Sequence, residues 1–456
     1  MKTASRLISL FIAIAFIISF PGCGNKSEKS SSDDSYLKID EDNIDLKGRT
    51  ITVQLLDEKL IPQEDESKIT DEGQKKLNEV TLVRQKEAEK KFNCNVEWKL
   101  LTQDDLKNML SYMKAGQLEG DIVLVDLEYG SNDMVINNLI ESLDDYIDFN
   151  TGEYANNAQN QAVWKGKHYG IIPATEEYIP CLYYNKKMLA NEGLEDPYEL
   201  MKKGQWTWDV FLDMLRKTTK DTNGDDIIDQ WGLDGDYSTL YNRFIYSNGG
   251  DYIKEEDNQY KQVLDSEETK EAVKFVTDLY KTDKVVYDRT IELIKSGTSN
   301  KNINITDLQI SYVDKGIAAF STLEASGNEN VEIGKVCYPK GPNAYDYITY
   351  RRAGRFYAIP STVEDPKGVA AVMACLFSYY DKTKEEYLDI NSDSDDYDLT
   401  SVNIKYSWFM DDYNYAQALR EMYMNILLKD KSVDESISTA VMSVSNKVAK
   451  LNMANN

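Results

Sequence analysis

The residues able to do chemistry in this chain are mostly acidic. There are 78 Asp and Glu against 52 Lys and Arg in 456 residues, a formal charge of −26. The densest ordered group is Asp221-Thr-Asn-Gly-Asp-Asp-Ile-Ile-Asp229, which sets Asp221, Asn223, Asp225 and Asp229 at positions 1, 3, 5 and 9 of an EF-hand-like loop. Alternating carboxylates and an amide can surround a hard cation such as calcium. Asp226 stands where such a loop has Gly and Gly232 where it has its last Glu, so an ion-free Asx-rich turn is the second reading. A later acidic stretch, Asn391 to Asp398, lacks ordered spacing and reads as a solvated loop.

Three arginines lie close together, at Arg351, Arg352 and Arg355. Guanidinium groups grip carboxylate or phosphate in two-pronged fashion, which suits an anionic ligand; in a chain this acidic they could equally pair with its own carboxylates. The single histidine, His168, sits in a Lys-Gly-Lys-His turn, so a histidine-based triad has only that residue to use. No Gly-x-Ser-x-Gly elbow and no phosphate loop occurs in the sequence. Glu176 and Glu177 are adjacent, so in an extended segment they face opposite ways and cannot act as a pair. Binding without turnover is the better reading. Beyond Cys23 the cysteines are Cys94, Cys181, Cys337 and Cys375, with no close spacing of the zinc type; they read as isolated buried thiols, with two disulfides as the alternative.

The elements that position these groups follow from periodicity. Ile51 to Leu56, Val96 to Leu101 and the apolar run Ile122 to Val125 read as strands, separated by helices over Gln74 to Phe92 and around Leu106, Met109, Leu110 and Met113. Strand and helix in alternation mean a largely parallel α/β sheet, and 456 residues exceed one core, so two lobes are expected. Ligands of such sheets sit beyond the carboxyl ends of strands, which places Asp57, Glu58, Asp126 and Glu128 at a cleft rim. In Tyr237 to Tyr252 the aromatics Tyr241, Phe244 and Tyr246 either stack on a ligand or fill a core. A helix over Glu267 to Tyr280 follows. Tyr406, Trp408, Tyr413 and Tyr415 offer more aromatic surface near the end.

Between Trp164 and Lys217 the strings Tyr-Gly-Ile-Ile-Pro, Tyr-Tyr-Asn-Lys, Gly-Leu-Glu-Asp-Pro and Trp-Thr-Trp-Asp occur in order, and Asn248-Gly-Gly, Tyr312 to Leu323 and the Pro-Lys-Gly of residues 339–341 follow. Together they resemble the family 1 extracellular solute-binding proteins, the maltose-binding-protein-like receptors of ABC importers, over nearly everything after residue 48. The resemblance implies a type II periplasmic-binding-protein clamp: a first lobe of residues 48–176 plus 306–350, a second of 177–305 plus 351–456, and crossover strands between them. It implies a cleft ligand, most plausibly a carbohydrate, a permease partner, a monomer and no catalysis. Asp57, Asp126, Glu177, Tyr178, Tyr241, Trp408 and Arg352 are the expected ligand contacts, Glu177 standing where the family has a residue that hydrogen-bonds sugar. Maltose-type members carry Gly-Pro-Trp after the Gly-x-Ala-Ala strand; here Glu324-Ala-Ser follows, so a maltose-like sugar is not implied.

At the start, Lys2 and Arg6 precede an apolar run from Leu7 to Phe20, the pattern of a signal peptide over residues 1–22. Phe20-Pro-Gly-Cys23 resembles a lipobox, so Cys23 is the expected lipidation site and residues 23–47 a solvated tether. Loss of Lys2 and Arg6 takes the charge to about −28, which excludes nucleic acid as a partner and electrostatic adhesion to anionic lipid. The expected protein is anchored by lipid to the outer face of the membrane. An anchored receptor serving a sensor or a surface enzyme, or an importer of a non-sugar anion, is the alternative.

Overall fold

The computed structural model describes residues 37–56, 72–126, 129–151, 162–172, 180–257, 259–295, 311–323, 331–351, 355–377, 402–406 and 413–453, with isolated positions between 58 and 70 and at 325. The signal peptide, Cys23 and the tether to residue 36 lie outside the described residues.

The first sheet starts with β1 (Arg49–Leu55), whose Ile51, Val53 and Leu55 are wholly buried. Helix α1 (Glu72–Phe92) carries the chain to β2 (Cys94–Leu100), parallel to β1 in register from Arg49 with Cys94 to Leu55 with Leu100. Helix α2 (Gln103–Ala115) opens on a capping box between Thr102 and Asp105 and ends on Gly116 in the left-handed region. Then β3 (Val123–Asp126) joins β1 through a parallel bridge from Val53 to Ile122, and the short α3 (Ser131–Ile136) follows. The elements expected from periodicity are present, with ends within two residues of those expected.

A hairpin of β4 (Val163–Trp164) and β5 (Lys167–His168) turns through Lys165 and Gly166, both at positive φ, as a two-residue turn of the primed kind requires. His168 is not the exposed residue its turn suggested. Its ring stacks on Phe149 with centroids 3.9 Å apart, and Nδ1 lies 2.8 Å from the carboxylate of Asp144.

The second sheet has five strands in the order β10-β7-β11-β6-β12. Its members are β6 (Leu182–Asn185), β7 (Trp231–Asp234), β10 (Val286–Tyr287), β11 (Ala318–Ser321) and β12 (Ile333–Val336). Between β6 and β7 come α4 (Lys186–Asn191), α5 (Pro197–Lys202), capped by Asp196, and α6 (Trp208–Thr218). Thr207 occupies the N-cap position of α6 but makes no side-chain cap; its backbone instead bridges to Lys340. After β7 run α7 (Tyr237–Ser247), a hairpin of β8 (Ile253–Glu256) and β9 (Gln259–Gln262), α8 (Glu267–Lys281) and, beyond β10, α9 (Arg289–Lys295). The core under this sheet is aromatic: Trp206 is fully buried, donates its indole N–H to the Cys337 carbonyl at 2.8 Å, and packs on Phe211 and Phe320.

The chain then crosses between sheets. β13 (Ile348–Arg351) pairs in parallel with β15 (Asn403–Tyr406) and packs on α7, whereas β14 (Arg355–Ala358) pairs antiparallel with β3, Arg355 opposite Asp126. Helix α10 (Pro366–Phe377), buried along its length from Gly368, packs on α1 in the first lobe. The terminal helices α11 (Tyr413–Leu428) and α12 (Val433–Met453) cover α7, α8 and β9. This corrects the expected lobe boundaries. β11 and β12 hydrogen-bond to β6 and β7, so residues 318–336 belong with the second sheet, and 355–377 belong with the first.

Cys94, Cys181, Cys337 and Cys375 are buried thiols with no disulfide among them. They are not isolated in space: the β6–β12 register, with Leu182 opposite Val336, sets Cys181 across from Cys337, and burial pushes the Cys337 thiol well above its ordinary range. Among the described residues no helix is long and apolar enough to cross a membrane.

Gly334 tests the packing of the second sheet. A Cβ there would lie 2.2 Å from Cζ of Tyr184, whose hydroxyl donates to the N-cap Asp196 at 2.7 Å. Gly334→Ala is expected to cost about 1–3 kcal/mol by overpacking, read as a lower urea midpoint at unchanged slope.

Candidate functional site

The carboxyl ends of the parallel strands mark where a ligand crevice lies in a fold of this kind. In the first sheet that end carries Asp126. Its carboxylate accepts from Nε of Arg355 at 2.9 Å, and it is 13% exposed against 45% for the arginine. Of the three clustered arginines, Arg355 thus pairs with the protein itself, at the point where the chain enters β14 from the crossover. The backbone of Arg351 ends β13. Arg352 lies outside the described residues, as do Asp57, Glu128, Glu176, Glu177, Tyr178 and Trp408. Glu58 is exposed, and its carbonyl accepts from the Ile61 N–H at 3.1 Å.

In the second sheet the strand ends bring together groups that sequence reasoning did not single out. Asp234, the last residue of β7, is buried and accepts from the Tyr312 N–H at 2.9 Å, Ser321 Oγ at 3.1 Å and Nη2 of Arg289 at 3.3 Å. Burial raises its pKa in spite of those donors. Asp288, directly after β10, accepts from the Tyr237 N–H at 2.6 Å, the Tyr280 hydroxyl at 2.8 Å and the Ile291 N–H at 3.1 Å. Burial pushes it up to about 6. Asp236 caps α7 by accepting from the Thr239 N–H at 3.0 Å. The rule that placed carboxylates of the first sheet at a rim applies equally here, so the Asp after each apolar run was the available signal.

Beside these carboxylates, Tyr287 and Tyr312 stack with centroids 5.2 Å apart, and Cζ of Arg289 lies 4.4 Å from the Tyr312 ring centroid. Flat aromatic faces next to carboxylate and guanidinium groups suit a polar ligand with apolar faces, which is how sugars present themselves.

The aromatics expected on the ligand have a different place. Tyr241 is fully buried, stacks on Tyr423 with centroids 4.2 Å apart at 6°, and shares a 2.9 Å hydroxyl contact with Thr277. One ring face lies on α11 and the hydroxyl on α8, and no surface is left to water, so it is a core residue and not a ligand contact. Phe244 likewise packs on Trp208 and Phe211, and Tyr246 stacks on Tyr350 at 4.9 Å.

The Asp221–Asp229 loop is closed by its own donors. Asp221 accepts from the Asn223, Gly224 and Asp226 N–H groups, Asn223 from Asp225, and Asp225 from Ile227. Asp229 turns instead to Thr222 and the Asn223 amide, at 2.7 and 2.9 Å. These backbone donors hold the Asp221 carboxyl below its ordinary value. Among the described residues no three His, Cys, Asp or Glu side chains form a group able to hold a metal ion.

Comparison with known proteins places this geometry. The family model for bacterial extracellular solute-binding protein matches residues 78–379. Among solved structures, UspC of M. tuberculosis superposes with a TM-score of 0.57 at 17% identity, covering 89% of this chain and 100% of its own. Lmo0181 of Listeria monocytogenes, an ABC substrate-binding protein in complex with cycloalternan, gives 0.56 at 14% identity, with 88% and 99% covered. The maltose/maltodextrin-binding domain MalE of Bdellovibrio bacteriovorus, bound to maltotriose, gives 0.52 at 16%, with 88% and 100% covered. All are two-lobed proteins of the type II periplasmic-binding class, and this chain has that fold.

Two measurements check the placement of these groups. Tyr241→Ala is expected to lower stability by about 3–5 kcal/mol in denaturant unfolding, the cost of emptying a large core site. Asp288 titrates in the folded chain at about 6 against 3.8 in the unfolded one, so its stabilising contribution is complete below pH 4 and lost as pH rises through 6. Asp288→Asn should therefore flatten the part of the stability curve that falls between pH 4 and 6, measured by thermal unfolding across that range.

Proposed function

The chain belongs to the bacterial extracellular solute-binding protein family, and on that premise we propose that it captures a carbohydrate or oligosaccharide between its lobes for an ABC importer. The observation that carries the reading is the second-lobe strand-end cluster. Asp234, Arg289, Tyr287 and Tyr312 combine aromatic faces with hydrogen-bonding groups at the carboxyl ends of β7 and β10. Related folds bound to cycloalternan and maltotriose support the ligand class. Closure would follow rotation about the crossover strands, and the ligand must supply the free energy that favours the closed form. The importer's membrane subunits then recognise that form.

The reading has three further parts. Cys23 is the acylated first residue of the mature chain, which keeps the receptor on the outer face of the cell membrane, where it acts as a monomer. The chain binds without cleaving its ligand. The Asp221–Asp229 loop folds as an ion-free turn, since Asp229 is turned to Thr222 and Asn223, and Gly232 offers no carboxylate at the last position.

A thermal-shift screen of the mature chain lacking Cys23, with calcium or with a chelator, tests all of it but the anchor and the oligomeric state. One saccharide class is expected to raise the midpoint saturably, by the equivalent of about 2.7 kcal/mol at a hundredfold excess over Kd, with no products on long incubation. Calcium is expected to leave the midpoint unchanged. Silence across all saccharides would overturn the carbohydrate reading, and a saturable calcium-dependent rise would put the ion into the loop.

A further inference from the structure

Five arginines among the described residues pair with carboxylates: Arg49 with Asp121, Arg84 with Glu87, Arg216 with Asp283, Arg289 with Asp234 and Arg355 with Asp126. The exposed Arg420 and the half-buried Arg243 have no such pair. Arg243 is on α7, its Cζ lies 5.3 Å from the ring centroid of Tyr350 and 5.9 Å from that of Tyr338, and its buried Nη1 has no hydrogen-bond partner. With 78 acidic residues in the sequence, a carboxylate for it would have been easy to supply.

Leaving a buried charged donor without an acceptor costs about 1–3 kcal/mol or more. The tyrosine rings offset part of that by cation–π attraction, yet a ring face supplies no acceptor for the buried N–H group. The position of the group says by what. Arg243 stands two turns into α7, the helix that starts at the carboxyl end of β7, and Tyr350 is the next-to-last residue of β13, the strand that leads to the crossover into the first lobe. The guanidinium is thus held beside β13, next to the last turn of the chain before it passes to the first sheet.

We propose that Arg243 receives an anionic group of the captured solute, so that the ligand is an acidic saccharide, its charge carried by a carboxylate or a phosphate. The inference rests on the carbohydrate reading above and narrows it. A planar, two-pronged donor held beside aromatic rings discriminates a planar carboxylate or a phosphate from a hydroxyl. Without ligand the arginine is a liability to the fold, and with ligand it becomes a satisfied pair.

Isothermal titration of the mature chain and of Arg243→Gln and Arg243→Lys decides it. The probes are a neutral oligosaccharide, an oligouronide of equal length and a sugar phosphate. Wild type is expected to bind one acidic probe at least about tenfold tighter than the neutral one, which of the two naming the charge. Arg243→Gln should weaken that probe by about 10- to 100-fold, the range of a charged hydrogen bond, with the neutral probe unchanged and Arg243→Lys in between. The unliganded Arg243→Gln protein should melt no lower than wild type, because an unfilled donor is removed; a large drop would make the arginine structural and overturn the proposal. Tight neutral binding that neither acid nor Arg243→Gln alters would overturn it while leaving the carbohydrate reading intact. No saturable binding of any saccharide would overturn both.

Discussion

Two buried carboxyl groups hold the working end of the second lobe together. Asp234 and Asp288 end neighbouring parallel strands, and each is out of water. A carboxyl group in that position must be met by donors, and here the donors belong to three different segments. Asp288 ties the first N–H of α7 to the first turn of α9 and to a tyrosine of α8, while Asp234 ties the Tyr312 turn, β11 and Arg289. Remove either and the loops that line the strand ends lose their common anchor. The strand-end geometry of the proposed site is therefore maintained by groups that need not touch ligand at all.

The charge balance shapes what remains. A chain with 78 acids to 52 bases has more than one acid for every base, and surface pairs such as Lys99 with Glu119 add little stability each. Pairing matters more where it joins segments distant in the chain. At Asp126 and Arg355 it fixes the entry to β14 just after the crossover, so the first lobe grips the incoming strand by a side-chain contact as well as by the ladder. Against that background the missing partner of Arg243 carries information, because acid is abundant everywhere else.

How much of this could be read in the sequence divides along one physical line. Patterns set by local backbone were legible: the β1, β2 and β3 strands, α1, α2 and α8, and the turn at Gly166. Patterns set by which distant segment arrives were not. Tyr241 sits at helical spacing, and spacing alone cannot say whether Tyr423, far along the chain, or a sugar fills its face. The return to the first lobe was placed too early because β11 has the small apolar residues of any buried strand, and only its pairing with β6 and β7 shows its side. Cys181 and Cys337 likewise become neighbours through an antiparallel register that no sequence spacing announces.

Helix α7 shows how both kinds of constraint meet in one element. Tyr241, Phe244 and Ile245 lie on the face turned into the second core, where they are wholly buried. Arg243 and Tyr246, three residues apart, share the face turned to β13 and meet the same ring, that of Tyr350. The core face fixes the helix rigidly, and its first N–H is pinned by Asp288. A guanidinium on the other face is thereby presented with little freedom beside the strand that joins the lobes. Rigid presentation makes an unfilled donor useful, because the ordering entropy is spent in folding and a ligand that supplies the missing acceptor gains most of the bond.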